Sequence, residues 1–152
     1  DLLTAIAAVR VSSVLNRNNS EFGKRHLTDR NPETCWNSDQ GAGQWIELAL
    51  ARPSRLLSLQ LQFQGGFSAT RCLVAALPGD GEPQLLADAR LSDSSQLQSL
   101  NLAPGAPPVR DRIRLTFLET ADPFGRVTVY QLGAPCSRAD SHALANDPKS
   151  LS

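Results

Sequence analysis

The chain lacks three features that would point directly to a function: an excess of charge of one sign, a long apolar run and many aromatic side chains. Its 15 Lys and Arg residues balance 15 Asp and Glu residues, which argues against a protein that binds nucleic acid or anionic membranes through an overall basic field. No stretch approaches the roughly 20 consecutive apolar residues that span a bilayer. With 152 residues and 41% hydrophobic content, the composition is typical of one globular domain.

Residues that ligate metals or act as nucleophiles are also scarce. The cysteines Cys35, Cys72 and Cys136 and the histidines His26 and His142 are not spaced as in a zinc knuckle. The chain has neither a phosphate-binding glycine loop nor the Gly-x-Ser-x-Gly sequence of a nucleophile elbow. Although Cys35 or Cys72 could meet His26 in the fold, buried structural cysteines are the simpler interpretation. We therefore predict that the protein is not an enzyme.

The odd number of cysteines bears on the cellular compartment. Small secreted domains pair their cysteines, whereas proteins inside the cell keep them reduced. Three cysteines would leave one thiol unpaired, so we expect an intracellular protein of the cytoplasm or nucleus. The glycosylation sequon at 18–20 points the other way, but such a triplet matters only in the secretory pathway.

Apolar and polar residues alternate with a period of two along most of the chain. The pattern is clearest over 45–50, 57–63, 112–117 and 127–130, and weaker over 11–15, 72–77, 84–87 and 96–102. Glycines and prolines that favour turns separate these segments. About eight short strands with one apolar face predict an all-β, antiparallel β-sandwich.

The same pattern divides the chain into three parts. We predict an N-terminal lead-in over 1–9, in which 2–9 could form a short helical turn. The sandwich domain is predicted over 10–136. The residues 137–152 are polar and include Pro148, so they are predicted to form a flexible tail.

Both tryptophans, Trp36 and Trp45, fall in the segment 27–50, which also contains four acidic residues. Asp29 begins a turn, because an aspartate side chain bonds nearby backbone amides and Pro32 restricts the backbone that follows. An indole has a large apolar body and one N–H that needs an acceptor, so both tryptophans suit the edge of a sandwich core.

The sequence resembles the discoidin, or coagulation-factor type C, family. The family signature Asp-x-x-x-x-Thr-x-Trp, followed by Trp-Ile-x-Leu-x-Leu, is matched by Asp29, Thr34, Trp36 and the run 45–50. The segment RIRLTFLETADPFGRVTVYQLG, at 112–133, is similar to the closing strands of the family. The resemblance covers most of 11–133, with the middle of the chain matched by strand pattern alone. It implies a jelly-roll β-sandwich of the galactose-binding-domain-like type, with Trp36 and Trp45 in structural positions.

Within that family, the chain is most similar to a small, stand-alone domain that occurs inside the cell and is associated with nuclear receptors. The blocks that carry this similarity are RVSSVLNRN at 10–18, FGKRHL at 22–27, ETCWNSDQG at 33–41, LQLQFQGGFS at 59–68 and FGRV at 124–127. The segment 27–36 is also similar to a small jelly-roll subunit of the intraflagellar transport machinery. The resemblance therefore implies a protein partner, such as a nuclear receptor or a larger complex, with a structural role in a ciliary assembly as an alternative.

Many proteins with this fold hold a structural Ca²⁺ in the loop before the first tryptophan. The resemblance implies a weak calcium site formed by Asp29, Asn31, Thr34 and Gln131, since Ca²⁺ takes about six to eight oxygen ligands. Gln131 stands where the family has a glutamate, and the loss of that charge lowers the expected affinity. The alternative is an Asx turn at Asp29 that holds the loop without an ion, so that no cofactor is required.

Loops at the rim of the sandwich contain the candidate binding residues. The predicted turns over 39–44, 65–71 and 122–126 join strands, and they carry Phe67, Arg71, Phe124 and Arg126. Arginine and aromatic residues are enriched at interface hot spots, although both phenylalanines could instead anchor the core. We predict a non-catalytic module that binds protein rather than nucleic acid or membrane. The alternative is a carbohydrate-binding module with Phe67 as its aromatic platform.

Overall fold

The computed structural model describes residues 6–102, 108–133 and 136–138. In these residues the strands are β1 (Ile6–Val11), β2 (Trp36–Asn37), β3 (Gln44–Leu50), β4 (Ser54–Leu56), β5 (Ser58–Phe63), β6 (Ala69–Leu77), β7 (Gln84–Arg90), β8 (Leu97–Asn101), β9 (Arg112–Thr120), β10 (Thr128–Gly133) and β11 (Cys136–Arg138). One short helix, α1 (Asn19–Phe22), lies between the 3₁₀ turns Leu15–Arg17 and Lys24–Leu27. None of these helical segments is long enough to cross a bilayer.

The strands form the two antiparallel sheets of a jelly-roll β-sandwich. The five-stranded sheet has the order β1-β3-β9-β6-β7, and the four-stranded sheet has the order β2-β10-β5-β8. Strands β4 and β11 form a further antiparallel pair. Because no strand is paired in parallel, the predicted all-β, antiparallel class is confirmed for the described part of the chain.

Apolar and polar residues alternate along the strands, so the apolar side chains of both sheets point inward and form the core. On β5, Leu59, Leu61 and Phe63 are buried, while the glutamines between them are partly exposed. The ring of Phe63 packs edge-on against Phe117 of β9, with ring centroids 6.0 Å apart. Phe117 also packs against Trp36, which is fully buried. These aromatic rings join β2, β5 and β9 into one apolar cluster.

The beginning of the chain differs from the prediction. The segment Ile6–Val11 is strand β1, paired with β3, so the helical turn predicted over 2–9 is wrong for its described residues. The strand predicted over 11–15 is also wrong, because the chain leaves the sheet at Ser12 and enters a 3₁₀ turn. Pairing with the edge of β3 outweighs the low strand preference of the alanines in this segment. Residues 1–5 lie outside the described part.

The ends of the predicted domain shift slightly. Strand β1 starts inside the predicted lead-in, and β11 ends two residues beyond the predicted domain end at 136. The rest of the predicted tail, 139–152, lies outside the described residues.

Antiparallel pairing brings three loops to one end of the sandwich. Phe63, at the end of β5, pairs with Val129 near the start of β10, and Asn37 of β2 pairs with Thr128. The start of β3 lies beside the last part of β9. The loops 38–43, 64–68 and 121–127 therefore meet, and we call them together the upper rim.

Candidate interaction site at the upper rim

Backbone hydrogen bonds tie the three loops of the upper rim to one another. Gly41 N donates to Phe124 O at 2.7 Å, which joins the first loop to the third. Thr128, the first residue of β10 after the third loop, donates from its N to Phe67 O of the second loop at 3.0 Å. Because these loops are bonded to strands and to each other, the side chains that they carry are held by a rigid scaffold.

Gly125 allows the first and third loops to approach closely. Its φ is +85°, a value that residues with a side chain rarely adopt. A Cβ atom at this position would lie 2.4 Å from Gly41 O, which is too short for any contact. Only glycine therefore fits between Phe124 and Arg126 in this arrangement.

An ion pair fixes the side chain of Arg126 at the rim. The Asp122 side chain is 6% exposed, and its Oδ2 accepts from both the backbone N and the Nε of Arg126 at 3.0 Å. Arg126 Nη2 donates to Asp122 Oδ1 at 3.3 Å. These hydrogen bonds lower the pKa of Asp122 and raise the pKa of Arg126, so both groups are charged at neutral pH.

Two phenylalanines flank the guanidinium of Arg126. Its Cζ lies 5.1 Å from the ring centroid of Phe67 and 5.9 Å from that of Phe124, within cation–π range. The Phe124 side chain is 62% exposed and lies on the surface rather than in the core, whereas Phe67 is partly buried. The rim thus presents an exposed aromatic ring beside an immobilised cation.

Arg71 lies apart from these three residues. It is on β6, where Nε and Nη2 bond the two carboxylate oxygens of Asp88 at 3.0 and 2.9 Å, and Nη1 reaches Glu119 at 3.4 Å. The hydrogen bond from Arg71 lowers the pKa of Asp88, and a bond from Arg90 does the same for Glu119. Of the four predicted binding residues, the structure brings together Phe67, Phe124 and Arg126 but not Arg71.

The loop predicted to bind calcium is closed by its own hydrogen bonds. Asp29 Oδ1 accepts from Asn31 N at 2.9 Å, which is the geometry of an Asx turn. Asp29 Oδ2 accepts from Thr34 Oγ1 at 2.6 Å and lies 3.0 Å from His26 Nδ1. Burial raises the pKa of Asp29, but these hydrogen bonds outweigh it and lower the pKa overall.

The donor set fits calcium only in part. Gln131 is exposed on β10, and it lines a groove with Thr28 and Arg30 beside the loop. In the described residues, no three His, Cys, Asp or Glu side chains are grouped as metal ligands. Asp29 is the one carboxylate of the predicted set, and both of its oxygens already accept hydrogen bonds. The calcium site at Asp29, Asn31, Thr34 and Gln131 therefore stays a prediction.

The cysteines of the described core do not form a nucleophilic site. Burial raises the pKa of Cys35, and it raises the pKa of Cys72 to about 12, so both thiols are protonated at neutral pH. The two ring nitrogens of His26 bond Asp29 and Ser20 O, and neither thiol is among its partners. His142 lies outside the described residues.

The two tryptophans have different surroundings. Trp36 is fully buried, and its Nε1 donates to Ser13 O at 2.9 Å. Trp45 lies on the outer face of the five-stranded sheet, partly exposed, with the guanidiniums of Arg114 and Arg10 at 4.3 and 5.9 Å from its ring centroid. Sequence reasoning missed this surface, although the alternation over 45–50 indicates that Trp45 and the buried Ile46 point to opposite faces.

Comparison with curated proteins identifies relatives over most of the chain. The protein named nuclear receptor 2C2-associated protein of Mus musculus is 46% identical over 125 residues, which are 81% of this chain and 86% of the relative. The protein of the same name from Homo sapiens is 46% identical over 123 residues, with the same shares covered. No family model matches the chain.

Solved structures with the same fold are more distant in sequence. An F5/8 type C domain of a Bacteroides fragilis protein has a TM-score of 0.72 at 16% identity, and the match covers 86% of this chain and 91% of that domain. A family 32 CBM from C. perfringens, solved in complex with galactose, has a TM-score of 0.67 at 14% identity, with 84% and 91% covered. These similarities confirm the predicted discoidin-like, galactose-binding-like fold.

Proposed function

The chain belongs to the nuclear receptor 2C2-associated protein family, and on that premise we propose that it is a non-catalytic module that binds a protein partner through its upper rim. The name of the relatives supports a nuclear receptor as the partner. The proposal includes a location inside the cell, in the cytoplasm, the nucleus or both. The absence of a catalytic centre is part of the same proposal.

The observation that carries this function is the exposed ring of Phe124 beside a fixed arginine. The ring is apolar and 62% exposed, so its removal from water by a partner would stabilise the complex. Asp122 and the two phenylalanine rings already hold the Arg126 head group in place, so little side-chain entropy is lost on binding. Aromatic and arginine side chains in such a setting are typical of interface hot spots.

Binding of the full chain to purified nuclear receptor 2C2 tests the proposal directly. We expect Phe124→Ser to weaken binding about tenfold or more, because the ring is a hot spot of the interface. Leu85→Ser is the matched control, since Leu85 is 59% exposed on β7, away from the upper rim. Absence of binding to the receptor, or equal losses in the two variants, would contradict the proposal.

Carbohydrate binding is a second candidate function for the same rim. The aromatic rings of Phe67 and Phe124 beside the charged pair of Asp122 and Arg126 are residue types with which proteins contact sugars. Titration calorimetry with galactose separates the two functions. Heat of binding that Phe124→Ser abolishes would favour a sugar ligand over a protein partner. The structural role in a ciliary assembly stays a prediction, and isolation of the chain in a stable, stoichiometric complex would test it.

A further inference from the structure

A second surface lies on the outer face of the five-stranded sheet, where β1, β3 and β9 run side by side. Arg10 of β1, Glu47 of β3 and Arg114 of β9 pair directly across the three strands, so their side chains lie on the same face. Arg112 lies two residues before Arg114 on β9, and Trp45 lies two residues before Glu47 on β3, so both lie on this face as well. We call these five residues the arginine–tryptophan face.

Three arginines share one carboxylate on this face. Glu47 is 1% exposed and accepts from Arg112 Nη1 at 2.8 Å and from Arg114 Nε and Nη2 at 2.9 and 2.7 Å. Arg10 Nη1 lies 3.7 Å from the same carboxylate. Burial alone would raise the pKa of Glu47, but the hydrogen bonds from Arg114 and Arg112 hold it below its usual value. Glu47 is therefore ionised, and one negative charge stands against three positive ones.

The excess positive charge remains accessible. The side chains of Arg10, Arg112 and Arg114 are 66%, 39% and 36% exposed. Each guanidinium has five N–H donors, and Glu47 accepts only some of those that Arg112 and Arg114 offer. Among the described residues, Glu47 is the one acidic side chain that forms an ion pair with these three arginines.

Trp45 adds a flat, partly exposed ring to this charge. Arg114 and Arg10 approach its ring from the two strands that flank β3, which restrains the indole. Trp45 is partly exposed, whereas Trp36 is fully buried. The face thus offers a partly exposed aromatic ring beside two cations.

The other half of the same sheet is neutral. Arg71 bonds Asp88 and Glu119, and Arg90 bonds Glu119 at 2.7 Å, so two cations face two anions. Within this sheet, the excess positive charge therefore lies on the arginine–tryptophan face. Beside it, Ala8 of β1 pairs with Ala49 of β3, and neither side chain carries a charge.

We propose that the arginine–tryptophan face binds an acidic segment of a partner protein, with two carboxylates bound by the arginines beside the ring of Trp45. This surface is distinct from the upper rim. Two uncompensated cations match two carboxylates, and guanidinium groups bind carboxylates in a bidentate manner. A nucleic acid, which carries one charge per about 1.7 Å of duplex, needs a longer basic track than this face provides.

Fluorescence anisotropy with a labelled peptide of alternating Glu and Gly tests the proposal on the full chain. We expect the peptide to bind and the same peptide with Gln in place of Glu not to bind. Arg10→Gln should weaken binding about fivefold or more, since it removes one cation while Arg112 and Arg114 still hold Glu47. Binding should also weaken as NaCl rises from about 0.05 M to about 0.5 M.

Matched variants distinguish this site from general charge effects. Arg90→Gln removes an equally exposed cation from the neutral half of the sheet and should leave binding unchanged. Arg10→Lys keeps the charge and should restore most of the affinity. Circular dichroism and thermal melting confirm that each variant is folded before its affinity is compared.

Several results would overturn the proposal. The acidic peptide could fail to bind, or Arg90→Gln could weaken it as much as Arg10→Gln. A single-stranded oligonucleotide that bound more tightly than the peptide, and that competed with it, would identify a nucleic acid as the ligand instead. Self-association of the chain, observed by sedimentation and abolished by Arg10→Glu, would identify a second copy as the occupant.

Discussion

Replacement of Glu47 by glutamine should destabilise the protein more than any other loss of a single charge in the described residues. The carboxylate is 1% exposed and accepts three N–H bonds from Arg112 and Arg114. Glutamine keeps the size of the side chain but removes the charge, and it turns an N–H group towards the guanidiniums. Three cations would then lie together without a counter-charge.

The magnitude follows from the number and exposure of these bonds. A hydrogen bond to a charged group contributes about 1.5–3 kcal/mol to the free energy of unfolding. The two arginine side chains are 39% and 36% exposed, so water replaces part of what they lose, and the three bonds do not add. We expect a total loss of about 2–4 kcal/mol, which lowers Tm by about 5–15 °C for a domain of this size.

Urea unfolding followed by circular dichroism measures this loss, and its pH dependence supplies a second test. Because the pKa of Glu47 is lowered in the folded protein, its contribution is complete above the unfolded value near 4.5 and is lost as the pH falls through the folded value. The difference between wild type and Glu47→Gln should therefore be full at pH 7 and shrink in acid. A loss below about 1 kcal/mol, or one that is independent of pH, would refute the reasoning.

Glu119→Gln is the control for this experiment. Glu119 also bonds two arginines, Arg71 and Arg90, but its side chain is 46% exposed. Water screens such a pair, so Tm should change by about 2 °C or less. A comparable drop in both variants would show that burial is not the source of the effect.

Three further predictions concern the rim and the core. Gly125→Ala should destabilise the protein more than Gly43→Ala, because both have positive φ but only Gly125 would place a Cβ against backbone; equal losses in urea unfolding would contradict this. Trp36→Phe should lower the free energy of unfolding by about 2–3 kcal/mol through a cavity and a lost hydrogen bond, and a loss under about 1 kcal/mol would count against it. Mass spectrometry after iodoacetamide treatment should find Cys72 alkylated only in the unfolded protein; labelling under native conditions would show that the thiol is accessible.

The long strands could be predicted because their alternation reports a single buried face. Seven of the eight predicted strands correspond to β3 and β5 to β10. On β9, for example, Ile113, Leu115 and Phe117 are buried and the arginines between them are not, as the period of two requires. Resemblance to a known family implied the jelly-roll type of sandwich, whereas the order of the strands is seen only in the structure.

The short strands could not be predicted from local pattern. Strands β2 and β4 have two and three residues, too few to show a period. Strand β1 contains adjacent alanines and forms because β3 offers an unpaired edge, which is a property of the assembled sheet. Local sequence is therefore informative about strands that are long enough to show the period, and uninformative about the shortest strands and about the strand at the sheet edge.

Only part of the candidate site could be predicted from the sequence. Phe67, Phe124 and Arg126 were predicted from residue type and from the turns that carry them, and the structure brings their side chains together. Arg71 was grouped with them because it is near in sequence, but its partners Asp88 and Glu119 come from strands paired on either side of it. Trp45 was assigned to the edge of the core from the apolar body and single N–H of its indole. Nothing local reveals the arginines of the two neighbouring strands that contact its ring.

The position of β9 has a consequence for the order in which the protein is made. This strand lies between β3 and β6 at the centre of its sheet, yet it follows both of them in the chain by dozens of residues. Until the ribosome has made β9, the edges of β3 and β6 that will pair with it remain unpaired. Pairings between distant segments close slowly, and such open edges can join other molecules in the meantime. A variant that ends before Arg112 should therefore be insoluble rather than form a smaller folded domain.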